Sequence, residues 1–184
     1  MLRAIIVSGA LAASVFMTAC VVAAQDTRAR ANDLVAQLDK TKHKVKDKRG
    51  THFESYMEVR NEAAAVKPSD ISGRYVSTDS SDIYMELKVN ADGSATASGI
   101  TYRNVDENSV RVSYNFKGRV DGALLTGTRT LENGSSEPFE AVFVNRTVRE
   151  GTTQADAAVT YKGFGIGYIE QNGESTNRIF LEKR

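Results

Sequence analysis

Apolar and polar residues alternate along most of the chain after residue 71. The clearest runs are 83–89 and 110–116, in which every second residue is apolar. A period of two places successive side chains on opposite faces of a strand, so these runs predict β-strands with one buried face. Tight hairpin turns are predicted between such runs, because Asn-Gly and Asp-Gly tolerate the positive φ that these turns need. The four dipeptides begin at Asp92, Asp121, Asn133 and Asn172.

Counting between the turns gives about eight strands. Their predicted ranges are 72–78, 82–90, 94–102, 109–119, 123–131, 138–147, 156–170 and 175–182. Successive hairpins without an intervening helix indicate antiparallel up-and-down pairing. We therefore predict a mainly β fold, an eight-stranded antiparallel up-and-down barrel preceded by an N-terminal helical segment. Closure removes exposed strand edges; an open sandwich is the alternative.

Three glycines share one face of the seventh predicted strand: Gly163, Gly165 and Gly167. The apolar phase of this strand changes near Gly163, which predicts a bulge or sharp bend there. This strip of residues without side chains has two interpretations. Either a ligand or a partner backbone approaches it, or it serves barrel curvature or the docking of the helix predicted at 52–66.

The segment 26–48 contains many helix formers, and Leu34, Val35 and Leu38 form a short apolar patch at helical spacing. A basic run follows, with six Lys or Arg residues and one Asp from Lys40 to Arg49. This run predicts either a solvated linker or an electrostatic contact with an anionic surface, such as lipid headgroups or a cell-wall polymer.

A second helix is predicted from His52 to Val66. Thr51 and Glu54 fit a capping box, apolar residues follow at spacings of three and four, and Pro68 ends the pattern. The apolar face of such a helix needs a partner. We expect it to pack across the mouth or on the side of the barrel.

The first 24 residues carry one charge, Arg3, followed by an uncharged run from Ala4 to Ala24. This pattern is typical of a secretory signal. Within it, Met17-Thr18-Ala19-Cys20 resembles the lipobox of bacterial lipoproteins. The resemblance implies cleavage before Cys20 and acylation of that cysteine, and stable membrane anchoring follows from more than one acyl chain.

Two alternatives to lipidation remain open. Cleavage after Val22-Ala23-Ala24 would release a soluble protein, and an uncleaved Ala4–Ala24 segment could just span a bilayer. By resemblance to enterobacterial lipoproteins, Val21 after the cysteine implies the outer membrane, facing the periplasm; a soluble periplasmic or secreted protein is the alternative. The predicted organisation is a signal peptide at 1–19, a lipid-anchored basic helical tether at 20–50, an amphipathic helix and linker at 51–70, and a barrel at 71–184.

The start of the barrel, Gly73-Arg74-Tyr75, resembles the Gly-x-Trp signature that opens the first strand of lipocalins, with Tyr75 in place of tryptophan. Arg178 in the last strand matches an arginine common in that group. The resemblance to lipocalin-like and avidin-like (calycin-type) barrels implies architecture only, because fold does not determine function.

Composition removes several classes of function. The chain has one cysteine, two histidines, no tryptophan and a net charge of +1. An internal disulfide is therefore excluded and a cysteine-based zinc site is not expected, and the balance of charge gives no strong positive field for nucleic acid. Both histidines precede the predicted barrel, so a His-dependent catalytic site on it is not expected. We predict a protein that is not an enzyme, with no metal, no cofactor and no nucleic-acid partner.

The remaining candidate chemistry is aromatic. Tyrosine combines apolar bulk with an orienting hydroxyl, which suits a pocket for a small apolar ligand. The candidate ligand-binding residues are Tyr75, Tyr102, Tyr114, Tyr161, Phe164 and Tyr168. We expect an envelope lipoprotein whose barrel binds a small apolar ligand or an envelope component. The alternative is a protein-binding lipoprotein, a hydrolase inhibitor or envelope assembly factor, whose partner loop carries Asp79 and Asp82.

Overall fold

The structure is a computed structural model that describes four segments of the chain: 25–48, 51–105, 108–172 and 175–184. The leader, the lipobox-like residues with Cys20 and the alternative cleavage site lie outside these segments. Within them, no helix has the length and apolar character needed to cross a bilayer.

A closed antiparallel barrel forms most of the described chain, and eight strands of the described residues build it. They are β3 (Gly73–Ser77), β4 (Tyr84–Val89), β5 (Ser94–Val105), β6 (Asn108–Asp121), β7 (Leu124–Leu131), β8 (Ser136–Gly151), β9 (Ala158–Asn172) and β10 (Ser175–Lys183). Each strand pairs with the next along the chain, and β10 pairs with β3 to close the ring. The predicted fold class is confirmed.

The turn glycines behave as their sequence predicts. Gly93, Gly122 and Gly134 adopt φ values of 81°, 59° and 84°, a region that residues with a side chain rarely enter. Asp121 pairs with Leu124, so the two-residue loop is Gly122-Ala123, one residue later than predicted. The fourth predicted turn, at Asn172-Gly173, lies partly outside the described residues.

The elements before the barrel differ from the prediction. Helix α1 (25–38) confirms a helical segment before the barrel, but the helical prediction over 26–48 is wrong from Lys40 to Lys48, which form a strand. It is followed by strand β1 (Lys40–Lys48), strand β2 (Thr51–Ala63) and a one-turn helix α2 (Pro68–Ile71). The predicted helix from His52 to Val66 is wrong. The basic run is not a solvated linker, because Lys40–Lys48 form the outer strand of a β1–β2 hairpin.

Strand β8 explains why this hairpin forms. β7 pairs with β8 only as far as Val142, and the same edge of β8 continues to Gly151. β2 pairs with that continuation, from Val144 to Gly151. Backbone N–H and C=O groups need hydrogen-bond partners. Pairing with the free edge of β8 therefore makes the segment Thr51–Ala63 a strand, although its local spacing favours a helix.

Side chains of the barrel strands fill its interior. The largest fully buried ones include Tyr75, Met85, Phe116, Phe143 and Tyr168. Edge-to-face ring contacts link the aromatic members, with Phe139 lying 5.5 Å from Phe116 and 5.2 Å from Tyr168. Such geometry adds to area burial. The interior is a packed core.

A second apolar cluster lies on the outer wall of the barrel. Helix α1 packs there over β8 and β10. The cluster comprises Ala31, Leu34, Leu38, Leu124, Val142, Val144 and Phe180. Polar contacts hold both ends of the helix: Arg30 donates two 2.8 Å hydrogen bonds to Glu140, and Arg178 Nε donates to the Gln37 carbonyl.

The predicted bulge in β9 is present, but three residues earlier than expected. Val148 pairs with Tyr161 and Arg149 pairs with Val159, so Thr160 is the extra residue. The glycine strip is covered by this chain's own side chains: a Cβ on Gly163 would meet the Tyr161 ring, and one on Gly167 would meet Leu38. Helix docking therefore accounts for Gly167, through α1 rather than through residues 52–66.

Candidate functional site

The candidate aromatic residues do not form one pocket. Tyr75, Tyr114 and Tyr168 are almost completely buried in the barrel core, and Phe164 stacks on Phe143 at 6.2 Å. The Tyr75 hydroxyl donates a 2.6 Å hydrogen bond to the Ile71 carbonyl. Burial raises the pKa of all three tyrosines. These residues hold the core together, and a ligand among them would have to displace a neighbour.

The two other aromatic candidates lie elsewhere. Tyr102 lines a cavity of about 330 Å³ at the barrel mouth, together with Glu170 and Arg178. Tyr161 faces the outer wall, and its hydroxyl donates a 2.8 Å hydrogen bond to Glu182. Burial, followed by that hydrogen bond, raises the pKa of Tyr161 to about 12. Asp79 and Asp82 are exposed in the β3–β4 connection, as predicted for a loop.

A network of buried charges closes the mouth of the barrel. Arg129 bridges Glu170 at 2.7 Å and Glu137 at 2.6 Å. Arg103 joins both carboxylates, and the Thr101 hydroxyl donates to Glu170 at 2.8 Å. Arginine holds each of the two carboxylates, so the network neutralises itself and offers no free acid or base.

A concavity larger than the one at the barrel mouth lies outside the barrel. The sheet β1–β2–β8–β9–β10 curls so that β1 approaches β10, and a cleft of about 690 Å³ lies between them. That volume falls within the roughly 300–1,000 Å³ typical of small-molecule sites. We call it the outer cleft. Its lining residues are Leu38, Lys40, Lys42, Met57, Val59, Thr78, Asp79, Arg146, Val148, Tyr161, Arg178, Glu182 and Arg184.

The floor of the outer cleft is apolar. Val59 of β2 pairs directly with Val148 of β8, and Met57 lies two residues along β2 on the same face. Leu38, at the end of α1, closes one side. The floor forms because β2 pairs with β8 from Val144 to Gly151. This pairing extends the apolar outer wall beyond the end of α1.

The rim of the outer cleft is cationic. Five lining side chains are basic, and two are acidic. Glu182 is already engaged, because it accepts from Tyr161 and pairs with Arg184 at 2.8 Å. No carboxylate of the described residues lies within ion-pair distance of Lys40, Lys42, Arg146 or Arg178.

Arg146 is the most enclosed of these cations. Its guanidinium lies 4.0 Å from the centre of the Phe180 ring, and its Nε donates a 3.1 Å hydrogen bond to Asn61. The cation–π contact and the single amide partner hold the group in place, but neither is a negative charge. Burial lowers the pKa of Arg146, and the negative charges of Asp79 and Asp39, which lie beyond ion-pair distance, offset only part of that shift.

The lysines of β1 crowd each other. Lys40 and Lys42 lie two residues apart on one face of the strand, near Arg178. The pKa of Lys40 is lowered, mainly by the hydrogen-bonding contact with Lys42, then by burial and by the like charges of Lys42 and Arg178. An anion placed between these groups would relieve the repulsion, because an opposite charge favours the protonated form.

Sequence reasoning missed the outer cleft. Its strongest available signal is the run Ala141–Val144, which is apolar at four consecutive positions and is completely buried. A strand buried on both faces requires a second layer outside the barrel. Arg146 and Val148 continue the outward phase of Val142 and Val144, and they therefore belong to that layer.

The chain matches no protein-family model, no curated protein and no solved structure. Among the described residues, no three His, Cys, Asp or Glu side chains come together as a possible metal site. The geometry of the site is an apolar floor beneath a cationic rim, in which Arg184 pairs with Glu182 and the other four cations have no carboxylate within ion-pair distance among the described residues.

Proposed function

We propose that this protein is a bacterial envelope lipoprotein, anchored through Cys20, whose barrel is a non-catalytic binding module. We further propose that it binds an envelope component in the outer cleft rather than a ligand inside the barrel. One observation carries the proposal: the cleft combines an apolar floor with four basic side chains that have no carboxylate within ion-pair distance among the described residues. Arg146 is the partly buried member of the four, and a partly dehydrated cation without an ion-pair partner is costly unless a ligand supplies the charge. Lys40, Lys42 and Arg178 are exposed and add positive charge at the rim.

The packed interior supports this choice of site. A lipocalin-like barrel would hold its ligand in the interior. Here the interior is filled by core side chains, among them Tyr75, Tyr114 and Tyr168. The outer cleft is open, by contrast, and its walls come from five strands and the end of α1.

A protein partner is the second candidate function. It is favoured by the position of Asp79, which lines both the outer cleft and the cavity at the barrel mouth. An exposed carboxylate beside a cationic groove would suit a partner of mixed charge.

The anchor is tested by intact mass of the mature protein from membrane and soluble fractions. We expect a wild-type chain that begins at Cys20 and carries acyl mass, and a Cys20→Ala variant that lacks it. A soluble wild-type chain that begins at Gln25 would end the lipoprotein proposal.

The site is tested by photo-crosslinking in intact cells. A benzophenone amino acid at Met57, on the cleft floor, should form an adduct with a lipid or other envelope component. The same group at Ser113, exposed on β6, is the matched control. Equal adducts at both positions, or none at Met57, would refute the cleft as the binding site, and a protein adduct only at Met57 would favour the alternative function.

A further inference from the structure

We propose that the ligand of the outer cleft is an amphiphile with one hydrocarbon chain and an anionic phosphate head group. This inference rests on the proposed function and adds the chemistry of the ligand. The chain would lie on the floor made by Met57, Val59 and Val148, and the phosphate would contact Arg146 and the β1 lysines.

The two parts of the ligand follow from the two parts of the cleft. Val59 and Val148 are cross-strand partners, and their side chains form a continuous apolar strip with Met57. A polar group that covers this strip would lose its hydration without gaining a hydrogen bond, so the strip favours an apolar group. Lys40 and Lys42 pair across the hairpin with Val59 and Met57. Each cation therefore stands beside an apolar floor position.

Charge counting selects an anion over a neutral head group. Glu182 is used by Tyr161 and Arg184, which leaves Asp79 as the one lining carboxylate facing Lys40, Lys42, Arg146 and Arg178. The excess is about three positive charges. A phosphate carries one to two negative charges and accepts several hydrogen bonds, and arginine matches its geometry.

Arg146 is the residue best placed to fix the head group. The Asn61 amide and the Phe180 ring orient its guanidinium, and Asp39 in turn holds Asn61 with hydrogen bonds of 2.7 and 3.0 Å. The guanidinium is therefore preorganised, and binding loses little side-chain entropy. Its two Nη groups make no hydrogen bond within the described residues, so they remain available to phosphate oxygens.

The test is a calorimetric titration of the full chain carrying Cys20→Ala, so that no acyl chain of its own competes for the cleft. Three probes separate the contributions: octyl phosphate, octyl glucoside with the same chain and no charge, and inorganic phosphate with no chain. We expect octyl phosphate to bind at least about tenfold more tightly than either control. Equal affinity for octyl glucoside would overturn the anionic head group, and equal affinity for inorganic phosphate would overturn the chain.

Variants locate the two contacts. Arg146→Met should weaken octyl phosphate by about 10- to 100-fold, the effect of losing one charge-assisted hydrogen bond. Lys42→Ala, on the exposed strand β1, should weaken it without disturbing the core, and Lys88→Ala on β4 is the matched control. Val59→Ser should weaken octyl phosphate and leave the affinity for inorganic phosphate unchanged. Unchanged affinity in both Arg146→Met and Lys42→Ala would refute the assignment.

The two proposals fail in different ways. If octyl phosphate does not bind but Met57 crosslinks to an envelope component, the ligand chemistry is wrong and the site stands. If Met57 forms no adduct and octyl phosphate does not bind, both proposals are wrong.

Discussion

Leu38 occupies the space that Gly167 leaves by having no side chain. A Cβ on Gly167 would lie 2.4 Å from Leu38 Cδ1, well inside van der Waals contact. The last turn of helix α1 is therefore fitted to one backbone position of β9, and this fit fixes where the chain leaves the helix and enters β1.

Gly167→Ala should destabilise the protein by about 1–3 kcal/mol, the usual cost of overpacking. Leu38→Ala alone should cost about 2–5 kcal/mol because it empties a buried site. The double variant should be clearly less destabilised than the sum of the two, as measured by urea unfolding. Gly134→Asn is the control, since a Cβ there meets nothing within 4 Å and asparagine tolerates positive φ. Additive effects would contradict direct contact.

The buried network at the barrel mouth should show strong coupling. Arg129→Met leaves Glu170 buried without its 2.7 Å partner, and we expect a loss of about 3–5 kcal/mol in the free energy of unfolding. Adding Glu170→Gln should restore part of that loss. The exposed pair Arg74–Glu86, at 3.6 Å, provides the control: Arg74→Met should cost about 0–1 kcal/mol. A double variant less stable than Arg129→Met would refute the coupling.

The β8–β9 loop should weaken in acid. Hydrogen bonds from the Thr152 side chain and the Thr153 backbone lower the pKa of Asp156 from 3.8 to about 2. Because folding lowers this pKa, the ionised carboxylate stabilises the fold fully above about pH 4, and the effect is lost as the pH falls toward 2. Asp156→Asn should therefore be less stable than wild type at neutral pH and equal to it near pH 2. A stability difference that does not change with pH would contradict this account.

The pKa of Lys40 gives a direct measure of its electrostatic interaction with Lys42 in the outer cleft. Lys42→Met removes the main cause of the lowered pKa of Lys40, so that pKa should rise toward 10.5 in an NMR titration of the side chain. Folding lowers this pKa, so in wild type the pair costs stability below the folded pKa and the cost fades as the pH rises through it. Lys42→Met should flatten that dependence. Lys88→Met is the control, and an unchanged Lys40 pKa in Lys42→Met would show that the two ammonium groups do not interact.

The barrel could be predicted because its signals are local. Alternation at 83–89 and 110–116 and the turn glycines each specify a strand or a turn within a few residues. The helix at 25–38 was also visible, since Leu34 and Leu38 share one face. Each of these features depends on residues that lie close together in the sequence.

The hairpin and the outer cleft could not be predicted in that way. The run that includes Tyr56 and Met57 fits helical spacing as well as a strand with both faces partly covered, and Glu58 in that run is buried by pairing with Arg60 and Arg149. The decisive contact is the edge of β8 beyond Val142, far along the chain. Tertiary pairing overrides local pattern here.

The same long-range pairing has a consequence for folding. Arg146 and Asn61, which are cross-strand partners of β8 and β2, are 85 residues apart in the chain, and closing such a loop is entropically slow. During synthesis β1 and β2 emerge long before β8, so the β2 edge of the hairpin stays unpaired until β8 is made. The other edge, that of β1, pairs with no strand of the described sheet. Lysine at every second position of β1 is the kind of residue that blocks edge-to-edge aggregation, so the charges proposed here to receive a ligand also protect the β1 edge, both before and after the barrel has formed.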